Sequence, residues 1–254
     1  MILLYRITPF FIALTSALGF AAFLLRWTHP FVAVLVTVFV VLLLLARLLQ
    51  FQLDTFSFWF FLGTAGIFLL SAFSVLFLFE SMTTSLIVTC VTIGLLTLFS
   101  EFIFLYTHIP SAYQPFSLEY LTLILNLLSI FFLTCFGFAI RLLVQIPLSF
   151  LSISFFFLSF FLIYGMLWVS KSASIHTRFY AGFGAILFTE LFIAISFLPT
   201  GFYTNAAFLT VFSYVYFGLT RAHVIHKLSK EVARRYLITA GFLLLFIGVS
   251  SQWL

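Results

Sequence analysis

Residues 221–235 read RAHVIHKLSKEVARR and form the one densely charged stretch of this chain. They contain five of its eleven Lys and Arg residues, whereas the segments on either side are almost entirely apolar. The segment that follows, residues 236–253, is long enough to cross a bilayer as a helix. A basic connection between two such runs indicates that the chain crosses a membrane and turns here on the cytoplasmic side, where Lys and Arg are retained.

The composition extends this interpretation to the whole chain. Of its 254 residues 65% are hydrophobic and 7% are charged, and the mean hydropathy is +1.31. A soluble domain is about half apolar and one quarter charged. We therefore predict an all-α polytopic transmembrane helix bundle, a single transmembrane domain over residues 1–254. The net charge of +5 fits cytoplasmic loops beside anionic lipid, so we expect the lipid bilayer as partner and no nucleic acid.

Apolar runs separated by charged or turn-forming residues predict about nine spans, with eight as the alternative count. The prolines fall at or beyond the ends of these runs, so we expect continuous helices rather than broken ones. Small residues near Gly66 and Gly184 are expected where helices approach closely. The predicted spans are residues 7–25, 30–46, 56–79, 85–106, 120–140, 147–169, 179–198, one that ends near Thr220, and 236–253.

The Lys and Arg residues on alternate sides predict the topology. Nine of them, Arg6, Arg47, Lys171, Arg178 and the five of the basic stretch, lie on the side of the N-terminus, and two, Arg26 and Arg141, lie on the other. We therefore predict a multi-pass protein of the plasma (inner) membrane whose N-terminus lies inside, on the cytoplasmic side. Trp27, Trp59, Trp168 and Trp253 fall near span ends, as in an aromatic belt. This topology places the linker 107–119 on the cytoplasmic side, although the linker has no Lys or Arg.

Glu190 is the ionisable residue deepest within a predicted span, where a charge costs at least ~2.5–3.5 kcal/mol. We expect it to face the bundle. If the spans before and after residue 201 form a hairpin, Ser213 and Tyr214 lie level with it, and their hydroxyls become candidate hydrogen-bond partners. One interpretation is a proton or substrate site, and the other is a neutral acid that fastens two helices. Full activity of a Glu190→Gln variant would eliminate the proton site.

Other polar residues support weaker hypotheses. Glu101 lies near the inner end of its span, level with Gly63 and Thr64, or reaches the interface. Cys90 and Cys135 come to similar depth, which permits either a disulfide or two ordinary apolar cysteines. His223 and His226 are three residues apart, but no Asp, Glu or Cys nearby completes a metal site. The sequence contains no HExxH, GxSxG or phosphate-binding loop, so we predict no catalytic residue, no metal and no cofactor.

The basic stretch has two interpretations of its own. As one helix, it places His223, Lys227, Lys230 and Arg234 on one face, and the spacing allows weak pairs between Glu231 and Lys227 or Arg235. Such a connector can lie along the inner membrane surface. Its basic residues, Arg221, Lys227, Lys230, Arg234 and Arg235, then serve as a topology anchor, or they contact anionic lipid head groups or other membrane subunits.

The C-terminal third contains PTGFYTN at residues 199–205, GLTRAHVIHKLSKEVARRYL at 218–237 and QW at 252–253. This segment resembles uncharacterised multi-pass membrane proteins of candidate-phyla bacteria. The resemblance implies a polytopic inner-membrane protein and supplies no activity, ligand or site.

Three functions remain open from the sequence. The first is a non-catalytic structural or assembly partner in a membrane complex, the second is a small transporter or permease that uses Glu190, and the third is an intramembrane enzyme built from scattered residues. A transporter should have a water-filled cavity that reaches Glu190. A structural subunit should pack dry around Glu190 and expose a large apolar flank to a partner.

Overall fold

The computed structural model describes residues 5–169 and 175–251, and within these ranges it contains α-helices, one short 3-10 helix and no β-strand. The all-α fold predicted from composition is confirmed. The predicted Lys171, Trp253 and the QW pair lie outside the described residues. The helices are α1 (Thr8–Leu24), α2 (Pro30–Leu48), α3 (Phe56–Leu76), α4 (Met82–His108), α5 (Ser117–Leu143), α6 (Leu148–Val169), α7 (Ile175–Ile195), α8 (Phe202–Val224) and α9 (Lys230–Ser250).

Seven of these helices, α2 to α7 and α9, are long and apolar enough to cross a membrane. The chain is thus an integral membrane protein with several spans. The helix α1 has 17 residues and reaches about 26 Å at 1.5 Å per residue, and α8 carries polar residues such as Asn205, Ser213 and Tyr214 along its length. The count of nine spans stays a prediction because it depends on these two helices.

The chain divides into two compact units, Met1–Leu125 and Asn126–Leu254. In the first unit α1 packs against α2 and α4, and α3 packs against α2 and α4. Its interior is aromatic, because Phe20 of α1 stacks on Phe73 of α3 with ring centroids 4.2 Å apart. Gly19 faces Thr37 across α1 and α2, and a Cβ at this position would overlap the Thr37 side chain.

In the second unit α6 packs against α7, α7 against α8, and α8 against α9. The helix α5 begins in the first unit and continues into the second, where Phe138 stacks on Phe192 of α7 with centroids 4.6 Å apart. Gly184 of α7 leaves room for the ring of Tyr216, as the small residues predicted, and Gly218 of α8 does the same for Tyr236. In both cases a tyrosine ring packs against a glycine of the preceding helix.

The basic stretch does not form the single connector helix expected from its spacing. The helix α8 ends at Val224, and His226 has a positive φ of 57°, which reverses the chain direction. Ser229 then begins α9 as N-cap, and its hydroxyl accepts a hydrogen bond from the Val232 N–H at 3.2 Å. The expected face of basic residues is therefore broken, since residues 221–224 end α8 and residues 230–235 begin α9.

Candidate functional site

Glu190 lies on the outer surface of α7, where its side chain is exposed. The prediction that it faces the bundle is wrong. The residues that α7 buries, Ala181, Ala185, Phe188 and Phe192, point towards neighbouring helices on another side of the same helix. A helix that is apolar nearly all round has no polar face to fix its rotation, so packing of small and aromatic residues decides which side is buried.

Along the chain, Glu190 lies nearer to the end of α7 than the predicted middle of the span. Phe188, two residues earlier, packs against Tyr216 and Phe217 of α8, with ring centroids 5.3 and 5.9 Å away. Because consecutive helices joined by a tight turn run antiparallel, Glu190 is about level with the middle of α8. Five residues separate it from the end of α7 at Ile195.

Ser213 and Tyr214 lie near this level but do not reach the carboxyl group. The Ser213 side chain is fully buried, and its hydroxyl donates to the Leu209 carbonyl of its own helix at 2.9 Å. The ring of Tyr214 packs against Tyr236 of α9, with centroids 5.3 Å apart. The hydrogen bonds expected from these two residues to Glu190 are not formed, and within the described ranges Glu190 has no hydrogen bond or ion pair.

Glu190 lines a shallow groove between α6 and α7, which we call the α6/α7 groove. Its volume is about 370 Å³, and it is lined by Ser152, Ile153, Phe156, Phe157, Ile186, Thr189 and Glu190. The two hydroxyls are used within their own helices, since Ser152 donates to the Leu148 carbonyl and Thr189 to the Ala185 carbonyl, each at 2.7 Å. Glu190 is therefore the single ionisable side chain of an otherwise apolar groove.

The basic residues lie at the ends of their helices, whereas Glu101 lies further inside α4. Glu101 is half-buried and lies seven residues before the end of α4 at His108. Arg221 is half-buried near the end of α8, whereas Lys227, Lys230, Arg234 and Arg235 are exposed around the turn into α9. The expected pairs of Glu231 with Lys227 and Arg235 are not formed among the described residues.

The structure adds a charged cavity that the sequence did not single out. It lies in the first unit, has a volume of about 790 Å³, and is lined in part by Arg26, Trp27, His29 and Glu80. These residues come from the connection between α1 and α2 and from the one between α3 and α4. The available signal was that both connections are predicted on the same side of the membrane, although each residue alone looked like an ordinary span end.

A buried polar layer between α5 and α6 was also not predicted. Asn126 donates from Nδ2 to the Leu162 carbonyl at 3.3 Å, and its Oδ1 has no partner. Ser129, about one turn after Asn126, and Ser159, about one turn before Leu162, are buried with hydroxyl groups that also have no partner. The signal was Asn126 itself, since an amide inside an apolar span is costly unless a neighbouring helix satisfies it.

The two cysteines do not form a disulfide. Cys90 is exposed and Cys135 is buried, and both are free, so they are two ordinary apolar cysteines and not a disulfide. Among the described residues no group of three or more His, Cys, Asp or Glu is placed to hold a metal ion.

Comparison of the chain with protein-family models, with curated proteins and with solved structures gave no match. The resemblance of the C-terminal third to uncharacterised multi-pass membrane proteins therefore stays a prediction.

Proposed function

We propose that this protein is a non-catalytic subunit of a membrane complex, acting as a structural or assembly partner in the plasma membrane. The observation that carries the proposal is the surface of α9. Only 6% of its 18-residue apolar window is buried inside the chain, against 33% to 67% in the other six candidate spans. Ala240 is its one buried residue.

The exposed flank of α9 is large and continuous along the helix. It packs against α8 through Tyr236, whose ring enters the space beside Gly218. Its outward side chains are Leu237, Ile238, Phe242, Leu243, Leu245, Phe246 and Val249. Lipid tails solvate such a surface, but van der Waals packing against another helix is one of the forces that drive association in a bilayer. A helix with so little intramolecular contact is suited to a partner subunit.

The surroundings of Glu190 favour this role over transport. A permease that uses the carboxyl group needs a hydrated route to it, and the α6/α7 groove offers apolar walls and hydroxyls already bonded to their own helices. The groove opens at the outer surface of the second unit. Glu190 is exposed there, so it is not packed dry as was expected of a structural subunit, but the walls of the groove supply no polar route to it.

The basic residues around the turn into α9 complete the proposal. Lys227, Lys230, Arg234 and Arg235 are exposed at one end of the helix with the unburied flank. Each basic residue near an anionic membrane surface adds about 1 kcal/mol. We assign them to anionic head groups of the cytoplasmic leaflet, where they hold α9 at a fixed depth for its partner.

The test is isolation of the protein from native membranes in a mild detergent, followed by native electrophoresis. We expect a complex heavier than one chain. The double variant Phe242→Ala, Phe246→Ala should weaken the complex at least about tenfold, because large aromatic contacts dominate interface energy. The matched control is Phe31→Ala, Phe39→Ala on α2, which removes two equally exposed rings from a helix with more internal packing.

A different result would remove the proposal. If the native protein migrates as a monomer, and vesicles that contain it take up a solute in proportion to a proton gradient, the protein is a transporter. If both double variants leave a complex unchanged, α9 is not its contact surface.

A further inference from the structure

The α6/α7 groove presents a carboxyl group with no partner on the apolar helix α7, five residues or about 7.5 Å before the end of that helix. Glu190 is exposed, about level with the middle of α8, and without a hydrogen bond or ion pair among the described residues. Ionisable groups at such depth are costly and almost always pair with another polar group. The lone chain leaves this requirement unmet.

The walls of the groove are exposed apolar side chains. Ile153 and Phe157 on α6 and Ile186 on α7 form its walls and are themselves exposed. A bilayer-spanning helix laid between α6 and α7 would cover these side chains and the carboxyl group together. No hydrogen-bond donor remains free in the walls, since Ser152 and Thr189 already donate to Leu148 and Ala185. The occupant must therefore bring the donor.

We propose that the α6/α7 groove is the docking site for a transmembrane helix of another protein that carries a Lys or Arg at the level of Glu190 and pairs it with this carboxyl group. This inference rests on the proposed function as an assembly partner and names the chemistry of the partner. Charge complementarity selects a cation, because an ionised carboxyl group accepts hydrogen bonds and cannot donate them.

A second copy of this chain does not fit the requirement. Every Lys and Arg in a described helix lies within the first or last six residues of that helix. Arg141 lies nearest to this level, and its guanidinium already donates to the Ser196 carbonyl of its own chain. At that depth a second copy offers its own Glu190, which is like in charge. The groove therefore selects a different chain.

The experiment uses the full protein in phosphatidylcholine vesicles with synthetic single-span peptides of Leu and Ala. The peptides differ in one central residue, Lys, Leu or Glu, and carry a diazirine-labelled leucine one turn away. After irradiation, mass spectrometry locates the cross-links. We expect the Lys peptide to cross-link to Ile153, Phe157 or Ile186 about tenfold more than the Leu or Glu peptide, in line with one interhelical polar contact.

Substitutions then test whether Glu190 is the cause. Glu190→Gln should remove the preference for the Lys peptide, and Glu101→Gln, the matched control in the first unit, should keep it. Glu190→Lys should transfer the preference to the Glu peptide. This charge exchange distinguishes a lost contact from a misfolded protein, and a variant that elutes as wild type but keeps the Lys preference contradicts the proposal.

Three outcomes overturn the inference, and they are separable from failure of the proposed function. Equal cross-linking of the Lys and Leu peptides excludes a cation. Cross-links from this groove to a second copy identify a homo-oligomer contact. Cross-links of the Lys peptide only outside the groove place the site elsewhere. If any of these occurs while native membranes still yield a complex through α9, the assembly role stands and the groove has no part in it.

Discussion

At the scale of single residues, Arg141 contributes both to the predicted membrane topology and to the contact between two helices. It lies near the end of α5, where its Nη1 donates to the Ser196 carbonyl at 3.0 Å and its guanidinium lies 4.8 Å from the centre of the Phe197 ring. Ser196 follows the last residue of α7, so the cation meets carbonyl groups at the negative end of a helix dipole. The residue counted in the topology also fastens two helices of the second unit.

Arg141→Met should therefore lower the free energy of unfolding by about 1–2 kcal/mol, from a charge-assisted hydrogen bond and a cation–π contact. The matched control is Arg178→Met, which removes an exposed arginine from α7. Thermal unfolding in detergent, followed by size-exclusion chromatography, measures both. Equal stability of the two variants would show that the Arg141 contacts contribute nothing to folding.

At the scale of elements, glycine positions decide which helices approach closely. Gly182 and Gly184 are neighbours on α7, yet a Cβ on Gly182 would meet no atom within 4 Å, whereas one on Gly184 would lie 2.6 Å from the ring of Tyr216. The Tyr216 hydroxyl donates to the Tyr180 carbonyl at 2.5 Å, one turn before Gly184. The Tyr216 ring of α8 thus packs directly against the α7 backbone at Gly184, which has no side chain.

Gly184→Ala should destabilise the pair of α7 and α8 by about 1–3 kcal/mol, because the added methyl group overpacks the contact with Tyr216. Gly182→Ala should be neutral or slightly stabilising, since alanine favours the helix and the space is open. Chemical denaturation in detergent, followed by tyrosine fluorescence, compares the two. A larger loss in Gly182→Ala would contradict the assigned contact.

At the scale of the whole molecule, the distribution of Lys and Arg predicts an N-terminus inside the cell and the turn after α8 on the same side. The turn is the better place for a probe because its residues are exposed. Ser229 is unsuited to substitution, since its hydroxyl caps α9, and Leu228 beside it is exposed without such a role.

Leu228→Cys should react with a membrane-impermeant maleimide only after cells are opened. The matched control is Ser81→Cys, an exposed position between α3 and α4 that the same topology places outside. It should react in intact cells. The native Cys90 and Cys135 serve as background in the unmodified protein. Labelling of Leu228→Cys in intact cells would invert the second half of the topology.

The sequence by itself determined the class of protein and the approximate positions of the helices. The transfer free energies of the residues in a segment add up, and the total for about 20 apolar residues in lipid outweighs the contribution of any single residue. The ends follow from the same argument, because charged residues and prolines stop the apolar runs. Residues 30–46 predicted the helix Pro30–Leu48 within two residues for this reason.

Only the tertiary structure decided the direction of each side chain. A helix that is apolar all round can rotate about its axis with little change in hydropathy. The side of α7 that Glu190 occupies is therefore set by the contacts that Gly184 and Phe192 make with neighbouring helices. The break at residues 225–229 likewise required a backbone turn that charge spacing does not encode. Depth is a property of one segment, whereas rotation and contact are properties of several helices packed together.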